Sequence, residues 1–117
     1  MTRYAVPGIA ARLAAFGMSA HVEVTDDVVR VRTGPSFAAD IPRSSIRGAE
    51  IVRTALVPDG IGVHGWRGRW TVNGSLGDAV QLTIDPPAAA RMLAVPLHLK
   101  RLRVQVDDPQ ALVSELT

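Results

Sequence analysis

Apolar and polar residues alternate with a period of two along most of this chain. Successive strand side chains point to opposite faces, so that period predicts half-buried β-strands. His21-Val22-Glu23-Val24-Thr25 alternates, Asp26-Asp27 turns, and Val28-Val29-Arg30-Val31-Arg32 alternates again. Val29 and Val31 share the inward face there, while Arg30 and Arg32 share the outward one. Thr33-Gly34-Pro35-Ser36 supplies a second turn, and Phe37 to Ile41 a third strand. Pro42 to Ser45 predicts a corner, followed by a strand from Ile46 to Leu56 in which Gly48 suggests a bulge. After the turn chemistry of Val57-Pro58-Asp59-Gly60, strands are predicted over Arg69–Val72 and Ala79–Ile84. Pro86-Pro87 is expected to stop the latter, with Ala88 to Leu93 forming a short helical turn. In the last strand candidate, Leu97 to Val106, Leu97 and Leu99 are in one phase and Leu102, Val104 and Val106 in the other. That switch predicts a bulge near Lys100-Arg101.

The helical period appears at the two ends. Ile9, Leu13 and Phe16 form one stripe over residues 8–16, with Arg12 facing away and Gly17 as the stop. Asp108 as N-cap and Pro109 in the first turn open a closing helix with Leu112, Val113 and Leu116 on its apolar side. Short strands with frequent turn signals indicate a mainly β chain, an antiparallel sandwich or partly open barrel of six or seven strands. The whole of 1–117 is expected to be one domain. Residues 1–18 form an N-terminal extension with a short helix, 20–106 the strands, and 108–116 the closing helix.

Composition narrows the function. Apolar residues make up 47% and charged residues 21% of the 117 positions, which excludes intrinsic disorder. The absence of cysteine excludes disulfide scaffolds, thiol catalysis and Cys-based metal centres. Thirteen cations against eleven carboxylates leave a net charge of +2, and every cation except Lys100 is arginine. Arg12 and Pro7-Gly8 interrupt the N-terminal apolar stretch, so it does not read as a secretory signal. No run of about 18 apolar residues is long enough for a membrane-spanning helix. The expected setting is the cytoplasm.

Gly60-Ile61-Gly62-Val63-His64-Gly65 spells G-x-G-x-x-G. A dinucleotide site needs its last glycine to open a helix, whereas Trp66-Arg67-Gly68-Arg69-Trp70-Thr71-Val72 reads as loop and strand. The glycines are better understood as letting a tight loop turn. That loop still holds the most unusual composition of the chain: His64, Trp66, Arg67, Arg69 and Trp70 stand within seven residues. Guanidinium and indole groups together can grip an anionic or planar ligand. The competing reading is a β-hairpin or bulged corner whose two tryptophans cover a barrel mouth. His21, His64 and His98 lack metal-ligand spacing, and Ser44, His64 and Asp85 carry no nucleophile-elbow signature. The expectation is therefore a non-enzymatic protein without metal or cofactor. Lys100, Arg101 and Arg103 make a second basic group. With a net charge of only +2, they are expected to be a solvated strand face, and nucleic acid is not the expected partner.

The corner Ile41-Pro42-Arg43-Ser44-Ser45-Ile46 and the closing helix begun by Asp108-Pro109 resemble the pleckstrin-homology-like (PH-like) fold of bacterial proteins. The segment Gly60–Ser75, with Ile84-Asp85-Pro86-Pro87 and Asp107-Asp108-Pro109, is similar to a family of small uncharacterised actinobacterial proteins. The arginine-rich, lysine-poor composition fits such a lineage. The resemblance covers residues 20–117 and implies two nearly orthogonal sheets plugged by the C-terminal helix, without implying a reaction. Lipid-binding members of that fold carry cations on the first hairpin. Here that turn is Asp26-Asp27, which argues against phosphoinositide binding. The functional expectation is an interaction module that binds a protein or peptide at an open sheet edge or at the Gly60–Trp70 loop. The alternative is a small-molecule or lipid-headgroup carrier with its mouth at His64, Trp66, Arg67 and Arg69, which requires an internal pocket of roughly 300 Å³ or more.

Overall fold

Valine-rich alternation becomes pairing in the first hairpins. The computed structural model describes residues 2–6, 20–34, 37–54, 62–73 and 77–117. The predicted helix over 8–16 and the turn Val57–Gly60 lie outside the described residues. Strands β2 (Ala20–Val24) and β3 (Val28–Thr33) are antiparallel, with Val22 opposite Val31 and Val24 opposite Val29. All four side chains are buried. Thr25 sets the turn: its Oγ1 accepts from the Asp27 and Val28 amides at 3.3 and 3.1 Å. Strand β4 (Phe37–Pro42) continues the meander and adds Ile41 beside Val29. Strand β1 (Thr2–Ala5), which the sequence reading did not foresee, pairs with β2 on its outer side. A four-residue strand is too short to show a period, so pairing rather than pattern defines it.

The corner at Pro42–Ser45 is a single 3-10 turn, Arg43–Ser45, between β4 and β5 (Ile46–Thr54). The Arg43 guanidinium holds it in place, donating to Thr25 O at 3.1 Å and to Glu115 O at 2.8 Å. Strands β4 and β5 then lie end to end along one edge of a long strand, β8 (Gly77–Met92). Phe37 to Ala39 face Met92 to Ala90, and Ile46 to Thr54 face Ile84 to Gly77. The suspected irregularity at Gly48 is a register shift between Ile46 and Gly48.

Two expectations are corrected here. Pro86-Pro87 does not end the strand, and Ala88 to Leu93 is not a helical turn: β8 runs through to Met92. Its ladder with β9 (Val95–Val104) skips from Thr83 to Ala88, so neither proline is asked for a ladder hydrogen bond. Alanine's helical propensity is a weak prior. It yields to pairing on both edges, with Ala88 and Ala90 buried and Ala89 exposed. Nor is the sheet purely antiparallel. Strand β7 (Arg69–Asn73) pairs with β9 in parallel, and β6 (Gly62–Trp66) pairs antiparallel with β7. Because β7 and β8 run in opposite directions and β9 lies between them, β9 has to be parallel to one of the two.

The result is mainly β: one open, curled, mixed sheet of nine strands ordered β1-β2-β3-β4-β8-β9-β7-β6, with β5 also on β8. Seven of these strands are the ones the alternation marks, and β1 and β6 are added at the two ends of the order. The concave side holds Val22, Val24, Val29, Val31, Phe37, Ile41, Val72, Leu82, Leu99, Leu102 and Val104, each at most 1% exposed. Helix α1 (Pro109–Leu116) closes one end with Leu112 inward. Asp108 caps it as expected, its Oδ1 accepting from the Ala111 amide at 3.1 Å. Glu115 ties the helix to β1, accepting from Tyr4 Oη at 2.7 Å and Thr2 Oγ1 at 2.9 Å. Among the described residues no helix is long and apolar enough to cross a membrane.

Burial, and then the hydrogen bond to Glu115, push the Tyr4 phenol up to about 12. An unfolded tyrosine ionises near 10. The unfolded chain therefore loses this proton first, so the contribution to stability is complete below pH 10 and lost as pH rises through 12. Tyr4 is the chain's one tyrosine. Alkaline phenolate absorbance should therefore report it alone, with a midpoint above 10 that moves down in Glu115→Gln.

Candidate interaction surface

The loop that stood out in the sequence is a hairpin. Arg67 and Gly68 occupy its turn with φ of 52° and 83°, the left-handed pair that matches strand twist in two-residue turns. A side chain at Gly68 would also stand 2.9 Å from His98 O. Gly65 answers a different need. It faces Trp70 across the ladder, and a Cβ there would lie 2.5 Å from Trp70 Cδ2 and against Arg69 O. The indole therefore rests over the bare Gly65 backbone. Gly62 and Gly65 lie within β6 and open no helix, so the G-x-G-x-x-G spelling has no phosphate-cradling geometry.

The hairpin is fastened to β9 through one carbonyl. Gly68 O accepts from both Lys100 N, at 2.8 Å, and Arg101 N, at 3.1 Å. Two consecutive amides on one acceptor is the geometry of a bulge. It lies where the phase switch between Leu99 and Leu102 predicted one. The parallel register then puts Arg69 beside Arg101 and Thr71 beside Arg103. Two basic groups distant in the sequence become one surface: Arg67, Arg69 and Lys100 are exposed, Arg101 and Arg103 half-buried. Arg103 is drawn toward β8, its Nε donating to Gln81 Oε1 at 2.8 Å, while Gln81 donates to Glu50 at 3.1 Å.

The structure thus divides the predicted set of His64, Trp66, Arg67, Arg69 and Trp70. Arg67 and Arg69 join the second basic group. Trp70 turns to the concave side, its ring centroid 6.4 Å from that of Phe37. His64 and Trp66 occupy β6 positions opposite Thr71 and Arg69; their side chains lie outside the described residues.

The remaining candidates are dispersed. Ser44 is in the corner before β5, and Asp85 lies within β8 where its ladder with β9 shifts register. Strands β8, β9 and β7 separate β5 from the β6 position of His64. Among the described residues no group of three histidines or carboxylates could hold a metal ion. His21 accompanies Glu23, Nε2 to Oε1 at 3.1 Å, and Arg3 bonds the same carboxylate at 2.7 Å. Burial first, and then the Arg3 charge, hold the His21 imidazole below its ordinary range. An unfolded histidine near 6.5 takes up its proton before the folded one does. The contribution of neutral His21 is therefore present above 6.5 and lost as pH falls below it. A proton NMR titration should place the His21 midpoint under 6.5.

Two features escaped the sequence reading. A concavity of about 330 Å³ lies over β3, β4, β8 and β9, with Arg32, Ala38, Asp40, Ala89, Arg91 and His98 among its lining. It opens on the convex side rather than at the mouth expected for a carrier. Ala89, Ala90 and Arg91 of its lining were hidden because Ala88 to Leu93 read as a helical turn. The other feature is the β8–β9 tip, where Leu93 and Ala94 hold φ of 49° and 68° with Leu93 66% exposed. Neither residue suits that region. Replacing the pair with Asn-Gly should stabilise the fold by on the order of 1 kcal/mol, read as a rise in Tm. Compared with protein-family models, curated proteins and solved structures, the chain finds no match.

Proposed function

We propose that this chain is a non-enzymatic interaction module that takes an extended segment of a protein partner as an additional strand on β6. One observation carries the reading: β6 ends the sheet and, among the described residues, has a ladder on its β7 side only. A terminal strand presents a row of backbone donors and acceptors that a peptide can pair with. The other strands with one ladder are less open: Asp107 N donates to Ala5 O of β1 at 2.9 Å, and helix α1 packs against β5. The curled sheet with its C-terminal helix agrees with a PH-like module, a fold-level analogy that supports binding without specifying a ligand.

The test is hydrogen exchange on the protein with peptides selected from a random library. Binding should slow exchange at β6 amides. In a two-residue hairpin Trp66 and Arg69 pair inward, which leaves the Val63 amide directed outward. Val63→Pro should then abolish binding while leaving the far-ultraviolet spectrum unchanged. Protection confined to other strands would overturn the reading.

A further inference from the structure

We infer that the concavity on the convex side is a site for a small molecule with one carboxylate on a flat apolar body. It is separate from the β6 edge, because β7 stands between β9 and β6, and it does not depend on strand addition there. Its volume of about 330 Å³ falls within the range of small-molecule pockets, roughly 300–1,000 Å³. Cross-strand register builds it. Arg32 pairs with Ala38 and Ala38 with Arg91, so an alanine lies between two arginines across β3, β4 and β8. Two strand spacings set the arginine backbones about 10 Å apart, the width of one ring. Alternate strand residues share a face, which adds Asp40 beside Ala38 and Ala89 beside Arg91. Ala89 in turn lies opposite His98 of β9. The floor is therefore methyl groups, and longer side chains rise around it.

The two arginine walls differ in what they are bonded to. Arg32 is held in place: its Nη1 donates to Val31 O at 3.0 Å and Ala39 O at 2.9 Å, and its Nη2 to Asp40 Oδ1 at 2.8 Å. Arg30 Nε approaches the same oxygen at 3.9 Å, so two cations already offset the Asp40 charge. Arg91 is exposed on the other wall, and neither it nor the His98 side chain has a hydrogen bond or ion pair among the described residues. One guanidinium is thus left for an anion. Its planar fork holds a carboxylate with two parallel hydrogen bonds. His98 is two positions along β9 from Pro96, the ladder partner of Arg91. Diagonal neighbours of that kind stand about 7–8 Å apart, so a ring N–H of His98 can reach the same carboxylate. A phosphate ester would bring a second negative charge with no second guanidinium to receive it and with Asp40 nearby. The rest of the ligand lies over Ala38 and Ala89, where a flat ring makes close contact because only methyl groups stand above the sheet.

The experiment titrates the isotope-labelled full chain with naphthoate, naphthamide and naphthyl phosphate, following backbone amide shifts by NMR. Naphthoate is expected to move the amides of Ala38, Ala89, Arg91 and His98, and to bind roughly tenfold more tightly than naphthamide. Arg91→Gln should remove that advantage and leave Tm unchanged, since the side chain is exposed. Ala89→Leu, which fills the floor, should abolish binding of all three probes. Equal affinity for naphthoate and naphthamide overturns the inference, as does an advantage that survives Arg91→Gln. Shifts confined to other strands, or none with millimolar probe, overturn the site itself. Tighter binding of naphthyl phosphate than of naphthoate overturns the carboxylate assignment in favour of a phosphate ester.

Discussion

Leu102→Ala is expected to cost about 3 kcal/mol of folding free energy and to lower Tm by on the order of 10 °C. Leu102 is fully buried on β9, with Leu82 of β8 on one side and Trp70 of β7 on the other. It is the point at which the β6–β7 hairpin is packed onto the rest of the sheet. Truncation removes apolar contact and leaves a cavity that strands paired on both sides cannot close. Urea unfolding of the variant beside the parent measures the loss. A change under 1 kcal/mol would mean that Leu102 is not at the centre of the core. Leu93→Ala is the matched control, because a side chain 66% exposed should shift stability by no more than about 0.5 kcal/mol.

Gly65→Val is the second large effect, and it acts by crowding. The added branches would enter space held by the Trp70 ring and the Arg69 carbonyl, with Trp70 Cγ only 2.6 Å from the position of a Cβ. Backbone and a ring wedged against Phe37 cannot yield as the tip of a flexible side chain does. Overpacking of this kind costs typically 1–3 kcal/mol. If the hairpin relieves the clash by peeling from β9, Gly68 O loses the Lys100 and Arg101 amides and the basic face comes apart. Trp70 should then become solvated. Its fluorescence, read in a Trp66→Phe background because the chain has two tryptophans, should shift to the red. Unchanged emission and stability would contradict the close approach.

Much of this architecture can be read in the residues themselves. Alternating valines located β2 and β3, Pro42 located the corner, and Asp108-Pro109 located the helix, because each signal is local. The phase switch between Leu99 and Leu102 located a bulge for the same reason. What the residues could not disclose depends on partners distant in the chain. Ala88 to Leu93 reads as a short helical turn until β4 and β9 are placed on either side of β8. The parallel pairing of β7 and β9 has no local mark, so Arg67–Arg69 and Lys100–Arg103 look like two scattered groups. The candidate loop was recognised by composition, yet composition could not say that Trp70 faces inward while Arg69 faces out. Alternation along β7 contains that division, but only once the strand's buried side is known.

The parallel register of β7 and β9 is what unites the basic groups and leaves β6 at the sheet edge. Interstrand nuclear Overhauser effects between backbone protons of these two strands test it directly. The expected pattern connects Trp70 with Leu102 and Val72 with Val104, both contacts advancing in the same direction along the chain. Contacts that advance along β7 while receding along β9, or none between the two strands, would contradict the account and separate Arg69 from Arg101.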